Sequence, residues 1–186
     1  MTHLGADRTT ANNHGAAVTT LLLALRAALY MSGFVFLWGW LAVTLRPWDP
    51  ALGGPLPAWP QVAGAVVAVG GAALALVCGG YFVARGRGTP APFDAPREFV
   101  ATGPYRWVRN PMYVGGLALL AGAALWLRSP AMLLLAAAAG VLVHLFVLFY
   151  EEPTLRRLFG TTYEAYTRRV HRWLPRPPRD TAAGGG

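Results

Sequence analysis

The chain has 186 residues, of which 55% are hydrophobic and 13% charged, and its mean hydropathy of +0.40 is too high for a soluble domain of this size. All sixteen basic side chains are arginine and the net charge is +8; they lie beside apolar runs, which favours an anionic membrane surface over nucleic acid as the partner. The one cysteine, Cys78, sits inside an apolar run, so an internal disulfide and a cysteine metal cluster are excluded.

Residues 1–15 lack periodicity and are expected to be disordered. Residues 16–84 read as a two-span membrane part, because crossing about 30 Å of hydrocarbon takes about 20 apolar residues. Its first span, about 18–45, is uncharged after Arg26. It is too long for a signal peptide and lacks a small-residue cleavage site, so it is expected to stay in the membrane. The stretch "RPWDPALGGPLPAWP" that follows reads as a proline-stiffened connector with interfacial tryptophans. The second span, about 62–84, carries Gly64, Gly70, Gly71, Gly79 and Gly80, which predicts close helix packing through small residues.

The loop from Arg85 to Pro111 is long for a helix connection, and ordered loops of that length are often functional. It ends in "TGPYRWVRNPMYVGG", residues 102–116, where Gly103-Pro104 predicts a turn. Pro111 fits the first turn of a third span, about 112–127, with Asn110 as its N-cap. Arg109, Tyr113 and Gly116 follow at helical spacings of four and three. Gly115 and Gly116 would admit a ligand or another backbone, and the free N–H groups of the helix start suit a carboxylate or phosphate.

A fourth span, about 131–150, carries His144 and ends in "FYEEP". Glu151 and Glu152 at a membrane boundary are costly unless they meet cations or water, and at a helix C-terminus they oppose the dipole. A solvated helix end paired with arginines leaves that placement unexplained, which favours a ligand role. His144 precedes Glu151 by seven residues and is expected on the same face, as a hydrogen-bonded interior group or a catalytic one. Beyond it, "PTLRRLFGTTYEAYTRRVHRWLP" repeats apolar residues every three or four positions among arginines. This predicts an amphipathic interfacial helix, restarted after Gly160 by Thr161 and Glu164, that anchors the chain or covers the site. Residues 176–186 are expected to be disordered.

If both termini face the cytoplasm, only Arg46 and Arg128 lie on the opposite side. That asymmetry predicts both ends inside, four spans between them and the two motifs on the cytoplasmic face. The fold class expected is therefore all-α and integral to the membrane, with about four transmembrane helices and a C-terminal interfacial helix.

The ordered pair "TGPYRWVRNPMYVGG" and "EEPTLRRLFGTTYEAYTRRVHRWLP" resembles the isoprenylcysteine carboxyl methyltransferase family, whose relatives include the phospholipid N-methyltransferases. The resemblance covers about residues 99–175. It implies a membrane enzyme that uses S-adenosylmethionine (SAM), with residues 85–175 as a two-span methyltransferase core that ends in the amphipathic helix. By the same resemblance the cofactor would be held by Tyr105, Arg109, Asn110, Pro111, Tyr113, Gly115, Glu151 and Glu152. Family members more often carry histidine where this chain has Asn110, and asparagine keeps a hydrogen bond but carries no proton near neutral pH, so binding rather than proton transfer is expected there.

Arg109 and the helix start suit the carboxylate of SAM, and a glutamate suits its ammonium or ribose hydroxyls. Tyr105, Tyr113 or Trp107 could face the adenine or sulfonium. Catalysis is assigned to Arg109, Glu152 and His144, acting through alignment and water exclusion on a lipid-like or isoprenoid carboxylate, amine or thiol. An amine acceptor would need a base, for which Glu151, Glu152 and His144 are the candidates. Membrane lipids and a lipophilic substrate are the expected partners, in a bacterial inner membrane by composition; neither a metal nor nucleic acid is called for. Two other readings are a sterol-type reductase using NADPH and a non-enzymatic membrane accessory protein.

Overall fold

The structure, a computed structural model, describes residues 21–81 other than 23, 24, 27, 30, 31 and 34, together with residues 101–175 and 177. The expectations for residues 1–15, for the loop between 82 and 100 and for most of the C-terminal tail fall outside these. Among the described residues there are helices and one isolated parallel bridge, and no strand.

The first helix, α1, is continuous over residues 35–45 and runs into a 3₁₀ turn, Arg46–Leu52. Helix α2 spans Gln61–Tyr81, and its uncharged 21 residues give about 31 Å, enough to cross a bilayer core. After the undescribed stretch a second 3₁₀ turn, Gly103–Arg106, leads to α3, Pro111–Trp126, and a tight turn leads to α4, Pro130–Phe146. A π turn, Val147–Glu151, then joins α4 to α5, Glu152–Arg169, without a break. Within α5, Gly160 is non-helical at φ 49, ψ −126, so the helix restarts there. Among the described residues, two helices, α2 and the one that begins at Pro130, are long and apolar enough to span a membrane. The apolar part of the second is α4 and the π turn, while α5 is polar on much of its surface.

Small residues bring α2 and α3 together as antiparallel neighbours. A Cβ on Gly71 would lie 2.5 Å from the Gly115 oxygen and 2.6 Å from the Leu119 nitrogen. One on Gly64 would lie 2.8 Å from the Gly122 oxygen, so no side chain fits at either contact. Dispersion and close backbone approach, rather than water exclusion, hold helices together in lipid, which is why glycine occupies this seam. Gly70 and Gly80 face nothing within 4 Å and are not part of it. Outward-facing Val62, Val66, Val69 and Leu76 of α2 and Leu134, Val141 and Leu142 of α4 are exposed, as lipid-facing side chains are.

The connector after α1 is an ordered cap. Asp49 Oδ1 accepts hydrogen bonds from Ser129 Oγ at 2.8 Å and from the Ala131 N–H at 3.0 Å, at the start of α4. Ser129 Oγ in turn accepts from the Met132 N–H, which completes the cap. Leu56 and Arg128 exchange two bonds, Leu56 N–H to the Arg128 carbonyl at 2.9 Å and Arg128 Nε to the Leu56 carbonyl at 2.6 Å. Both arginines expected on this face therefore sit at one end of the bundle. Near it Ala42, Ala124 and Met132 form one core cluster; at the opposite end Cys78 and Tyr105 form another with Leu74, Tyr81 and Met112.

Candidate functional site

The end of the bundle with Cys78 and Tyr105 carries the polar chemistry. Gly103, at φ 58, lies under the Tyr81 ring, where a Cβ would come within 2.5 Å, so the motif begins pressed against the end of α2. The 3₁₀ turn that follows buries Tyr105, whose carbonyl accepts from Tyr166 Oη at 2.7 Å. Burial also pushes the Tyr105 phenol above its ordinary range, so it stays neutral. Val108 then pairs with His171 in the parallel bridge, and Pro111, fully buried, starts α3.

Glu152 is the centre of the site. It is 3% exposed, and its carboxylate meets three arginines. Arg109 Nη1 donates to Oε1 at 2.8 Å; Arg172 donates with Nε to Oε1 at 2.7 Å and with Nη2 to Oε2 at 3.0 Å. Arg156 lies one helical turn on, 3.8 Å from Oε2, and is mostly exposed. Burial raises the Glu152 pKa, but the hydrogen bonds from Arg172 and the charges of Arg109, Arg172 and Arg156 outweigh it and hold the carboxyl below its usual range. The Arg172 guanidinium is raised in return, first by its hydrogen bonds to Glu152. Beside this cluster Tyr113 Oη donates to Glu151 Oε2 at 3.0 Å.

Several expectations need correcting. The two glutamates do not end a helix: the π turn carries the chain through them and Glu152 begins α5, so the dipole argument does not apply to their placement. Asn110 occupies the N-cap position of α3, but its side chain does not cap; Nδ2 donates to the Arg172 carbonyl at 3.2 Å. Arg109 precedes the helix and is not on the helical track of Tyr113. Gly115 faces Gly71 and Ala75 of α2, so the close approach it permits is that of a backbone. His144 and Glu151 have separate partners, since His144 Nδ1 accepts from Trp173 Nε1 at 3.0 Å. Trp107 is half exposed beside the motif.

The structure thus gathers Tyr105, Arg109, Asn110, Pro111, Tyr113, Glu151 and Glu152 at one end of the bundle. It adds Tyr166, Arg172 and Trp173. Nothing in the sequence separates Arg172 from the solvated arginines around it, because its pairing depends on where the chain turns after Arg169.

The residues fit a zwitterionic cofactor such as SAM. Two guanidiniums, those of Arg109 and Arg172, surround one ionised carboxylate, which leaves positive charge to be balanced. Arg109 Nε is buried and has no hydrogen-bond partner among the described residues, an orphaned donor of the kind an anionic oxygen satisfies. No group of three or more potential metal ligands occurs among the described residues.

Fold and site together define a helical membrane protein with a buried ionic cluster at the end of its bundle. The phospholipid methyltransferase profile matches residues 60–162, more than half of the chain, and the protein belongs to that family. Phosphatidylethanolamine N-methyltransferases of Sordaria macrospora and Neurospora crassa are each 35% identical over 88 residues, and that of Talaromyces marneffei is 34% identical. These matches cover 46% of this chain and 9% of each relative, so the chain corresponds to a small part of those proteins. Among solved structures it is similar to the eukaryotic intramembrane Ras methyltransferase, isoprenylcysteine carboxyl methyltransferase, with a TM-score of 0.52 and 21% identity over 80% of this chain and 53% of that one. At that identity the likeness concerns the fold.

Proposed function

We propose that this protein is a membrane-embedded, SAM-dependent methyltransferase acting on a lipid-like or isoprenoid acceptor. The observation that carries the reading is the buried Glu152 held between Arg109 and Arg172, inside a chain of the phospholipid methyltransferase family. When bound, SAM supplies an electrophilic methyl group on a sulfonium.

The chain's residues bind, orient and exclude water. Arg109 would receive the cofactor carboxylate. Glu152 and Glu151 receive its ammonium or ribose hydroxyls, with Tyr113 fixing one oxygen of Glu151. Trp107, half exposed beside the motif, would offer aromatic surface to the adenine or the sulfonium, while Tyr105 is buried in the core cluster with Cys78. A carboxylate or thiolate acceptor needs no base; for an amine, Glu151 is placed to take the proton, while the Nδ1 lone pair of His144 is occupied by Trp173.

The 16 residues of α3 span only about 24 Å, less than the hydrocarbon core. Its N-terminal end, where the cluster lies, would therefore sit at or just below the interface, within reach of lipid head groups. Acceptor would enter sideways between helices and SAM from the cytoplasm, in a bacterial inner membrane with both termini inside.

Purified protein incubated with methyl-labelled SAM and a lipid extract of the source cell tests this. Label is expected in an organic-phase product. Label in no extractable or protein-bound product, or tight binding of NADPH in place of SAM, would sink the proposal.

A further inference from the structure

After α5 the chain becomes extended at Val170, with φ −117 and ψ 129, and residues 170–173 cross the ionic cluster as a short strap. Its attachments reach three separate parts of the fold. The Arg109 N–H donates to the His171 carbonyl at 2.8 Å, and Asn110 Nδ2 donates to the Arg172 carbonyl, which ties the strap to the segment before α3. Trp173 reaches His144 on α4, with the two rings 6.0 Å apart. The Arg172 side chain turns inward and forks onto both oxygens of Glu152 at the start of α5. The strap lies beyond residues 60–162, the part of the chain that the family profile matches.

The fork has a geometric consequence. Arg109 holds one oxygen of Glu152, and a carboxylate held at one point can still rotate about its last bond. Two parallel N–H···O bonds from a planar guanidinium fix the carboxylate plane. Arg172 is 27% exposed against 55% for Arg156, whose contact with Glu152 is 3.8 Å long, so of these two arginines it is Arg172 that clasps the carboxylate.

We infer that Arg172 is a positioning residue for cofactor binding: it sets the plane of the Glu152 carboxylate and ties the strap to the ionic cluster that would hold SAM. The inference rests on the SAM-dependent reading of the site.

The test compares wild type, Arg172→Ala and Arg172→Lys in detergent or nanodiscs, measuring the SAM dissociation constant, KM and kcat, and the melting temperature. Arg172→Ala is expected to weaken SAM binding about tenfold or more, while kcat at saturating SAM changes less than about threefold. Lysine, a point charge without the fork, should recover only part of that loss. If the alanine variant does not fold, Arg172→Gln, which keeps one donor at similar length, takes its place. Unchanged SAM binding in a variant that melts like wild type overturns the inference, as does a loss that only tracks the melting temperature. Wild-type protein that binds no SAM overturns the functional reading and this inference with it; wild-type binding that survives Arg172→Ala overturns this inference alone.

Discussion

Glu152 is where residue-level physics is most demanding. A carboxylate 3% exposed is stable only because its hydration is replaced by charged donors, and Arg109 and Arg172 supply three of them. Glu152→Gln removes the charge and leaves two guanidiniums facing each other across a half-buried space. We expect a loss of about 3 kcal/mol in stability, measured by denaturation in micelles, together with loss of SAM binding. The same group sets a pH dependence. Its folded pKa lies below the unfolded value of about 4.3, so its stabilisation is complete above that range and lost as pH falls through the depressed folded value. Wild type should lose melting temperature on acidification below about pH 4, and Glu152→Gln should lack that component; parallel acid titrations of the two would disprove the assignment. The pair Glu151-Glu152 was legible in the sequence because two charges beside an apolar run are conspicuous. Their partners were not, because Arg109 is 43 residues away and Arg172 is one of many arginines.

At the scale of elements, the seam between α2 and α3 positions everything at the site end, since Arg109 and Tyr113 flank the start of α3. Gly115→Ala would place a Cβ 2.7 Å from the Gly71 oxygen and 2.8 Å from the Ala75 nitrogen, backbone atoms that cannot step aside. A clear fall in melting temperature is expected, with activity falling alongside. Gly70→Ala meets nothing within 4 Å and should stay within about 0.5 kcal/mol of wild type. Equal effects of the two would argue against the seam. At the other end, Asp49→Ala removes the acceptor that Ser129 and Ala131 share, at a cost of about 1–2 kcal/mol. Because that cap is far from the ionic cluster, SAM affinity should not move, which binding measured on the same preparation checks. The sequence marked glycine-rich helices but not which glycines meet; that depends on the face each helix turns to its neighbour. It likewise marked a proline-stiffened connector but not that Asp49 caps a helix 80 residues later.

For the whole molecule, the two ends of the bundle differ in chemistry as the arginine asymmetry predicts. One holds the connector with Arg46 and Arg128; the other holds the ionic cluster and the arginine-rich α5. In a Cys78→Ala background, a single cysteine placed in the exposed part of the connector, at Ala51, should react with a membrane-impermeant thiol reagent in intact cells. One placed at Thr162 on α5 should react only after permeabilisation. The reverse labelling pattern would invert the proposed topology and move the ionic cluster to the outside.

The sequence by itself determined that the chain is helical and membrane-bound, and that charged and polar side chains gather in two motifs about forty residues apart. Length, hydropathy and local turn residues carry that information, since each acts within a few residues or one span. Only the tertiary structure decided that Glu152 is neutralised by Arg109 and Arg172, that Asn110 and Trp173 hold a strap, and that Gly115 serves helix packing. Those outcomes depend on distances between side chains brought together from opposite ends of the chain's C-terminal half. No periodicity encodes such distances, because they are set by how closely α2 and α3 approach and by where the chain turns after α5.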